Sequence, residues 1–390
     1  MTHGFGWALA GTALVIAAPA WAQENSVQDG STTIVVTGSP LSETAKRLKA
    51  CIARNCPPNE DIDASIAHAE NQFLEGDYLN ARATLAAAHA RNARHAKAYP
   101  VEVADLDRTY GRLVNMNGRP NDGRILQIDA LDTLKGGFES GDTRILDQRL
   151  MTGDEYIHTG RIKAATDVYR KVEKQAREAG KLRVVGNAML RPATLFTALT
   201  AFDSGYRIPA RAAITRLDKT TEPELADFRV AARLLRARLA ATTGDDEELE
   251  STLKKLTGDG FTHPVLVYEE PAFLNVPPTG MADRNLDTNP EWIDIRFRID
   301  ASGRVHDVDT LRQSPLISND WPKYIRRTLP KRRYVPLKLP AGSDGMVRIE
   351  RFTLVFDAES STGSHMQSRS TRGRLVSLDL TPDPVPPKGG

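Results

Sequence analysis

Few side chains in this sequence stand at spacings that do chemistry. Cys51 and Cys56 are the only two cysteines. So close together, they can close a small disulfide loop in an oxidising compartment or offer two thiolates to a metal. A metal needs further ligands, and only His68 is even loosely near, so a Cys51–Cys56 disulfide and no metal are expected. Ser251-Thr252-Leu253-Lys254 fits Ser-x-x-Lys, in which a lysine helps a serine act as nucleophile. Two common residues at one spacing arise by chance in 390 residues, and no Lys-Thr-Gly partner follows. The eight histidines form no tight group. His263 and His306 each stand alone, and a lone histidine is more often structural than catalytic. No Gly-x-Ser-x-Gly elbow, His-Glu-x-x-His pair or phosphate loop occurs. The expectation is a non-enzymatic protein without cofactor. The alternative is an envelope enzyme, a cell-wall or peptide hydrolase, with a site assembled from scattered residues.

One charge cluster belongs in the same search. Lys323, Arg326, Arg327, Lys331, Arg332 and Arg333 crowd a C-terminal helix and its exit, mostly opposite the stripe of Trp321, Tyr324 and Ile325. Cations at a helix C-terminus are favourable in any case, so a solvated face is expected. The alternative is a patch for acidic partners or anionic cell-wall polymers. Over the whole chain 52 basic and 50 acidic side chains nearly cancel, which gives no reason to expect a nucleic-acid partner. With 40% hydrophobic and 26% charged residues the chain is globular and long enough for two or three domains.

The elements around that cluster have the sharpest pattern in the chain. Ile293 to Ile299 alternates apolar and polar, a strand with one buried and one wet face. Ala301-Ser302-Gly303-Arg304 turns the chain into a second strand, Val305 to about Leu311. Val305 and Val308 are an odd number apart, which implies a bulged hairpin. Trp321, Tyr324, Ile325, Thr328 and Leu329 have helical spacing, with Ser318 or Asn319 as N-cap, Pro322 in the first turn and Pro330 as stop. Val347 to Phe356, β-branched and aromatic, reads as a last strand.

This strand, strand, helix, strand order resembles the C-terminal domain of the TonB energy-transducer family. The resemblance rests on the Ile293 to Ile299 strand, the Ser302-Gly303-Arg304-Val305 turn with Asp307-Val308, Gln313-Ser314-Pro315, Arg333-Tyr334-Val335-Pro336 and Arg351-Phe352-Thr353-Leu354-Val355-Phe356. The entry reads Tyr268-Glu269-Glu270-Pro271, where that family has Tyr-Pro. The resemblance implies that an extended peptide adds as a strand to the edge of Val347 to Phe356, with Val347, Ile349, Arg351 and Phe352 as contacts. Near the N-terminus Ser31 to Gly38, with Ile34, Val35 and Val36, looks like a TonB box, the segment such an edge accepts. The bland alternative is an N-terminal arm that happens to be valine-rich.

Phe5 to Ala22 is apolar, uncharged and ends in Ala20-Trp21-Ala22, the pattern of a signal-peptidase site, so cleavage after Ala22 and a periplasmic protein are expected. The alternative is an uncleaved inner-membrane anchor, since Met1-Thr2-His3-Gly4 carries no Lys or Arg.

From Leu41 to about Leu256 the pattern is helical. Gly76, Gly118, Gly160, Gly205 and Gly244 are separated by 42, 42, 45 and 39 residues. Phe73, Ala81 and Leu85 around Gly76 recur as Ile157, Ala165 and Tyr169 around Gly160, and as Phe202, Ala210 and Ile214 around Gly205. Each glycine is expected to end a helix and each alanine to let the next pack closely, giving stacked helical hairpins. Phe73 to Ala81 resembles the turn of a tetratricopeptide (TPR) repeat.

The expected fold is therefore α+β. It comprises a signal peptide (1–22), an arm (23–40), an all-α TPR-like hairpin solenoid (41–257), a small TonB-like domain (258–357) and a polar, Pro-rich, mostly disordered tail (358–390), with a short strand possible only at Arg374 to Leu380. The expected role is a periplasmic protein–protein interaction protein. Its partners would be envelope proteins, TonB-dependent receptors or other TonB system components.

Overall fold

The computed structural model describes residues 40–257, 261, 263–270, 288–317, 320–360 and 367–381. Helices come first: α1 (Leu41–Ala53), α2 (Pro58–Leu74), α3 (Tyr78–Asn92), α4 (Pro100–Met116), α5 (Pro120–Gly137), α6 (Thr143–His158), α7 (Ile162–Glu178), α8 (Leu182–Leu199), α9 (Arg207–Asp218), α10 (Ala226–Thr243) and α11 (Asp246–Thr257). Pro58, Pro100 and Pro120 open their helices, where the missing N–H has no intrahelical partner to lose. After α1, successive helices pack pairwise into the hairpins α2–α3, α4–α5, α6–α7, α8–α9 and α10–α11, which stack into a helical-hairpin solenoid. Gly76, Gly118, Gly160 and Gly244 turn four of them, all with φ between 71° and 84°. Gly205 does not end a helix. Helix α8 stops at Leu199, and Gly205 lies in a short 3-10 turn with its amide donated to Asp203 at 2.8 Å. Ala81, Ala165 and Ala210 are fully buried at helix contacts, as the spacing implies. Among the described residues no helix is long and apolar enough to cross a membrane.

The C-terminal part contains β1 (Leu266–Tyr268), β2 (Glu291–Ile299), β3 (Val305–Gln313), helix α12 (Trp321–Thr328), β4 (Arg333–Tyr334), β5 (Met346–Ser360) and β6 (Gln367–Asp379). Strands β1 and β4 pair as a short ribbon, and the main antiparallel sheet has the order β3-β2-β5-β6. The β2–β3 register slips between Asp294 and Ile295 and again between Arg296 and Arg298, so the hairpin is bulged.

Two expectations fail here. Residues 358–390 are not mostly a disordered tail: the strand possible at Arg374 to Leu380 is there but is longer, Gln367–Asp379 forming β6, paired with β5 from Glu350↔Asp379 to Ser360↔Gln367. Its polar composition is that of an edge strand, anchored by Leu375 in one core cluster and by Leu378 against another. Residues 382–390 lie outside the described residues. Nor is the second face of β2 wet along its length, since Trp292 and Asp294 on that face are 6% and 1% exposed.

Both faces of the sheet are covered for one reason. Ile293, Ile295, Phe297 and Ile299 of β2, with Phe352 and Leu354 of β5, share a cluster with Trp321 and Ile325 of α12, Leu234 of α10 and Leu249 and Leu253 of α11. On the other face Trp292 joins Phe73 of α2, Tyr78 of α3 and Leu113 of α4. The sheet is thus held between the first two hairpins and the last. At about 1.5–3 kcal/mol per buried large apolar side chain, these contacts make sheet and solenoid one folding unit.

Candidate protein-interaction site

The last carbonyls of a helix have no partner within it, and those of α2 are met by the sheet. Arg351 of β5 donates from Nη1 to the Phe73 carbonyl at 2.7 Å and from Nη2 to the Leu74 carbonyl at 2.8 Å. The same guanidinium grips Asp294 of β2, Nε to Oδ1 at 2.6 Å and Nη2 to Oδ2 at 2.9 Å. Its flat face lies 4.0 Å from the centroid of the Trp292 ring. A planar fork of donors suits this position, with a carboxylate on one side and the negative end of a helix on the other. Burial pulls the pKa of Arg351 down, but Asp294 and Tyr78 together outweigh it and the group stays charged. Arg312 of β3 donates to Asp294 at 3.0 Å and to the Leu74 carbonyl at 3.2 Å, and the Tyr78 hydroxyl bonds Thr353 Oγ1 at 2.9 Å. The Trp292 indole lies over Gly76, where a Cβ would come within 2.3 Å of Nε1.

A second joint forms at the α4–α5 turn. The Ala358 amide donates to the Gly118 carbonyl at 2.6 Å, and Arg374 of β6 donates to the Asn115 carbonyl at 2.7 Å while pairing with Asp357 at 3.0 Å. A third joins the last hairpin, where Arg238 of α10 donates twice to the Leu266 carbonyl of β1, at 3.0 and 2.7 Å. In all three joints arginine or backbone N–H meets backbone carbonyl, mostly at a helix end.

The expected contact residues are distributed differently. Val347, Ile349, Arg351 and Phe352 lie on β5, which has β2 on one side and, from Glu350 onward, β6 on the other, so the open edge inferred for this strand is closed at Arg351 and Phe352. Arg351 is fully buried, Phe352 is buried, and Val347 alone of the four is well exposed, at 46%. The premise fails because β6, read as tail, fills that edge. Ile34, Val35 and Val36 lie outside the described residues. Cys51 and Cys56 form the expected disulfide, with Cα atoms 5.1 Å apart.

The basic cluster around α12 is largely paired: Lys323 with Asp320, Lys331 with Glu270, Arg332 with Glu269 and Glu350, and Arg333 with Glu250. Arg332 and Arg348 hold the buried Glu350 carboxyl below its usual range despite the opposing effect of burial. His306 bonds Asp300 at 2.8 Å in the β2–β3 turn; Asp300 also accepts from the Ser302 and Arg304 amides, and its pKa is lowered to about 2. His89 of α3 bonds Asp107 of α4 at 2.7 Å, but among the described residues no hydroxyl or thiol bonds its other nitrogen. Ser251 and Lys254 are both exposed on α11. A small cavity of about 40 Å³ lies between α12 and β5–β6, lined by Tyr324, Ile325, Leu329, Phe352 and Leu375. The carboxylates at its rim, Glu269 and Glu270, are engaged by Arg332 and Lys331. These arrangements stabilise and bind; none assembles a nucleophile with its base.

Sequence reasoning missed Asp294, Trp292, Arg312 and Arg374 as junction residues. A signal was there: a Trp-x-Asp pair on the supposedly wet face of β2 puts a large aromatic where solvent was expected.

No family model matches the sequence, and no curated protein matches it. Solved structures that are similar include a putative kinesin light chain of Podosopora anserina with nearly identical TPR-like repeats. It has 14% identity, covers 52% of this chain and 95% of that chain, and gives a TM-score of 0.39. BtubC from P. vanneervenii has 12% identity, covers 60% of this chain and 95% of its own, and gives a TM-score of 0.41.

Proposed function

We propose that this chain is a non-enzymatic interaction scaffold of the cell envelope, exported to the periplasm, whose partners belong to the TonB-dependent transport system. The observation that carries the scaffold reading is the docking of the main sheet onto the first and second hairpins, and of the β1–β4 ribbon onto the last. A stack of hairpins alone can flex, whereas a stack bridged by a sheet presents a surface shaped in advance and loses less entropy when a partner binds. Export is supported by Ala20-Trp21-Ala22 and by the Cys51–Cys56 disulfide, which suits an oxidising compartment.

Strand addition remains part of this reading but moves from β5 to the outer side of β6. Edge strand β3 suits a visiting peptide poorly, with two register slips and Asp307 at φ 52°. Strand β6 runs for 13 residues and, among the described residues, pairs only with β5. The test is an NMR titration of the full mature chain, lacking residues 23–39 to remove self-competition, with a peptide spanning Thr32 to Gly38. Shifts along β6 are expected, and a peptide with proline at Val35 should not bind, because it lacks a ladder donor. Absence of shifts on β6 would rule out strand addition at β6. Mass analysis of the periplasmic protein tests export separately, with Gln23 expected as first residue.

A further inference from the structure

At the second joint one buried side chain has neither of its polar atoms satisfied. Asn117, at the C-terminal cap of α4, is 8% exposed, and among the described residues neither its Nδ2 nor its Oδ1 has a hydrogen-bond partner. Buried carboxamides are nearly always bonded, so this one calls for a partner. Asn117 lines a cavity of about 10 Å³ together with Pro290, Leu354, Val355 and Phe356.

The sequence explains why a cavity forms there. Strand β2 begins at Glu291, opposite Leu354, and the preceding residue is Pro290, which has no N–H to carry the ladder on to Val355. Two residues later β5 bulges between Phe356 and Ala358, and the Ala358 amide is drawn to the Gly118 carbonyl. Between the end of the ladder and the bulge, Val355 and Phe356 have no β2 partner and lie beside the Asn117 side chain.

We propose that this cavity is a one-water site, in which an ordered water bonded by the Asn117 carboxamide and by β5 backbone is a built-in part of the joint between the second hairpin and the sheet. Size selects the ligand, because a buried water needs about 10–15 Å³ and two to four polar partners. Donor and acceptor chemistry fits as well: the carboxamide offers two N–H donors and one carbonyl acceptor, and a water can accept from one N–H while donating to the carbonyl. No carboxylate, imidazole or thiolate lines the cavity, so its lining does not suit a metal. A peptide group with its flanking carbons exceeds the volume. The first joint is thus closed by direct bonds from Arg351, whereas the second adds a water to the direct bonds of Ala358 and Arg374.

The test uses the full chain, isotope-labelled, and records water-to-protein NOE and ROE cross-peaks. In wild type, long-lived water contacts are expected at the Asn117 side-chain amide and at the Val355 or Phe356 backbone amide. Asn117→Leu fills the site with apolar atoms of similar volume and should abolish the contacts at β5, with unchanged shifts at Arg351. Asn117→Ala enlarges the site and should keep them. A wild-type Asn117 amide without any water contact overturns the proposal, as do β5 contacts that persist in Asn117→Leu. The wild-type measurement decides even if a variant fails to fold.

Discussion

Asp294 and Arg351 stand directly opposite each other on β2 and β5, and the arginine reaches past its partner to the final carbonyls of α2. One cross-strand ion pair therefore holds three elements. Because Asp294 is 1% exposed, removing the arginine leaves a buried carboxylate with, among the described residues, only Arg312 to answer it. Arg351→Met is expected to cost about 3–5 kcal/mol in urea unfolding, and Asp294→Leu added to it should recover part of that loss. Trp292 fluorescence should report the opening of the joint. A single-variant loss below about 1 kcal/mol, the scale of a surface pair, would mean that the pair does not hold the joint.

Gly76 and Gly160 share a positive φ, +84° and +71°, but only Gly76 is covered: a Cβ there meets the Trp292 indole, whereas nothing lies within 4 Å of one at Gly160. Alanine at either site costs about 1–2 kcal/mol of backbone strain. At Gly76 the indole must also move. Thermal melting should show Gly76→Ala losing at least twice as much as Gly160→Ala. Equal losses would show that Trp292 shifts freely and that its packing contributes little.

The hairpins were legible because their signal is local: a glycine turn and an alanine contact sit within nine residues of each other, as in Gly76, Ala81 and Leu85. The β2–β3 hairpin and α12 were legible for the same reason. Strand β6 was legible only in its second half, as the short strand possible at Arg374 to Leu380; Gln367 to Gly373 look like tail until β5 is placed beside them. The junction was legible least of all. Asp294 and Arg351 are 57 residues apart, and Phe73 is 278 from Arg351, so only the assembled fold joins them. The strand alternation around Asp294 was read correctly as a period and wrongly as exposure, since what covers that face is a helix from the other end of the chain.

Glu70 on α2 is partly buried and, among the described residues, has no hydrogen bond or ion pair; burial alone raises its pKa from 4.5 to about 7. A carboxyl that titrates higher in the folded state costs stability wherever the unfolded chain would ionise it. Below the unfolded value both states hold the proton and the group is silent; between the two values the unfolded state ionises first and stability falls as pH rises. Above about pH 7 the full penalty applies. Glu70→Gln should therefore leave unfolding unchanged near pH 4 and stabilise by about 1–3 kcal/mol near pH 8. Equal effects at both pH values would show that the carboxyl is well solvated.

The last prediction concerns what β6 protects. From Glu350 to Leu354, β5 is paired on both sides, and Leu375 and Leu378 secure the outer strand to two different clusters. Ending the chain after Ser360 removes both leucines and the Arg374 bond to α4, and leaves a long row of unpaired β5 backbone groups. Exposed edges of this kind recruit other strands, so the truncated chain should self-associate with rising concentration in size-exclusion chromatography while keeping the far-UV signal of the solenoid helices. The Thr32 to Gly38 peptide then discriminates between edges. In the chain that retains β6 its shifts should fall on β6; in the truncated chain they should move to β5, around Glu350 to Phe356, and suppress the self-association. Shifts on β5 while β6 is present would mean that the peptide displaces the chain's own strand, making β6 a removable cover rather than the acceptor. A truncated chain that stays monomeric and ignores the peptide would show that neither side of this sheet takes an added strand, and that the solenoid alone supplies the binding surface.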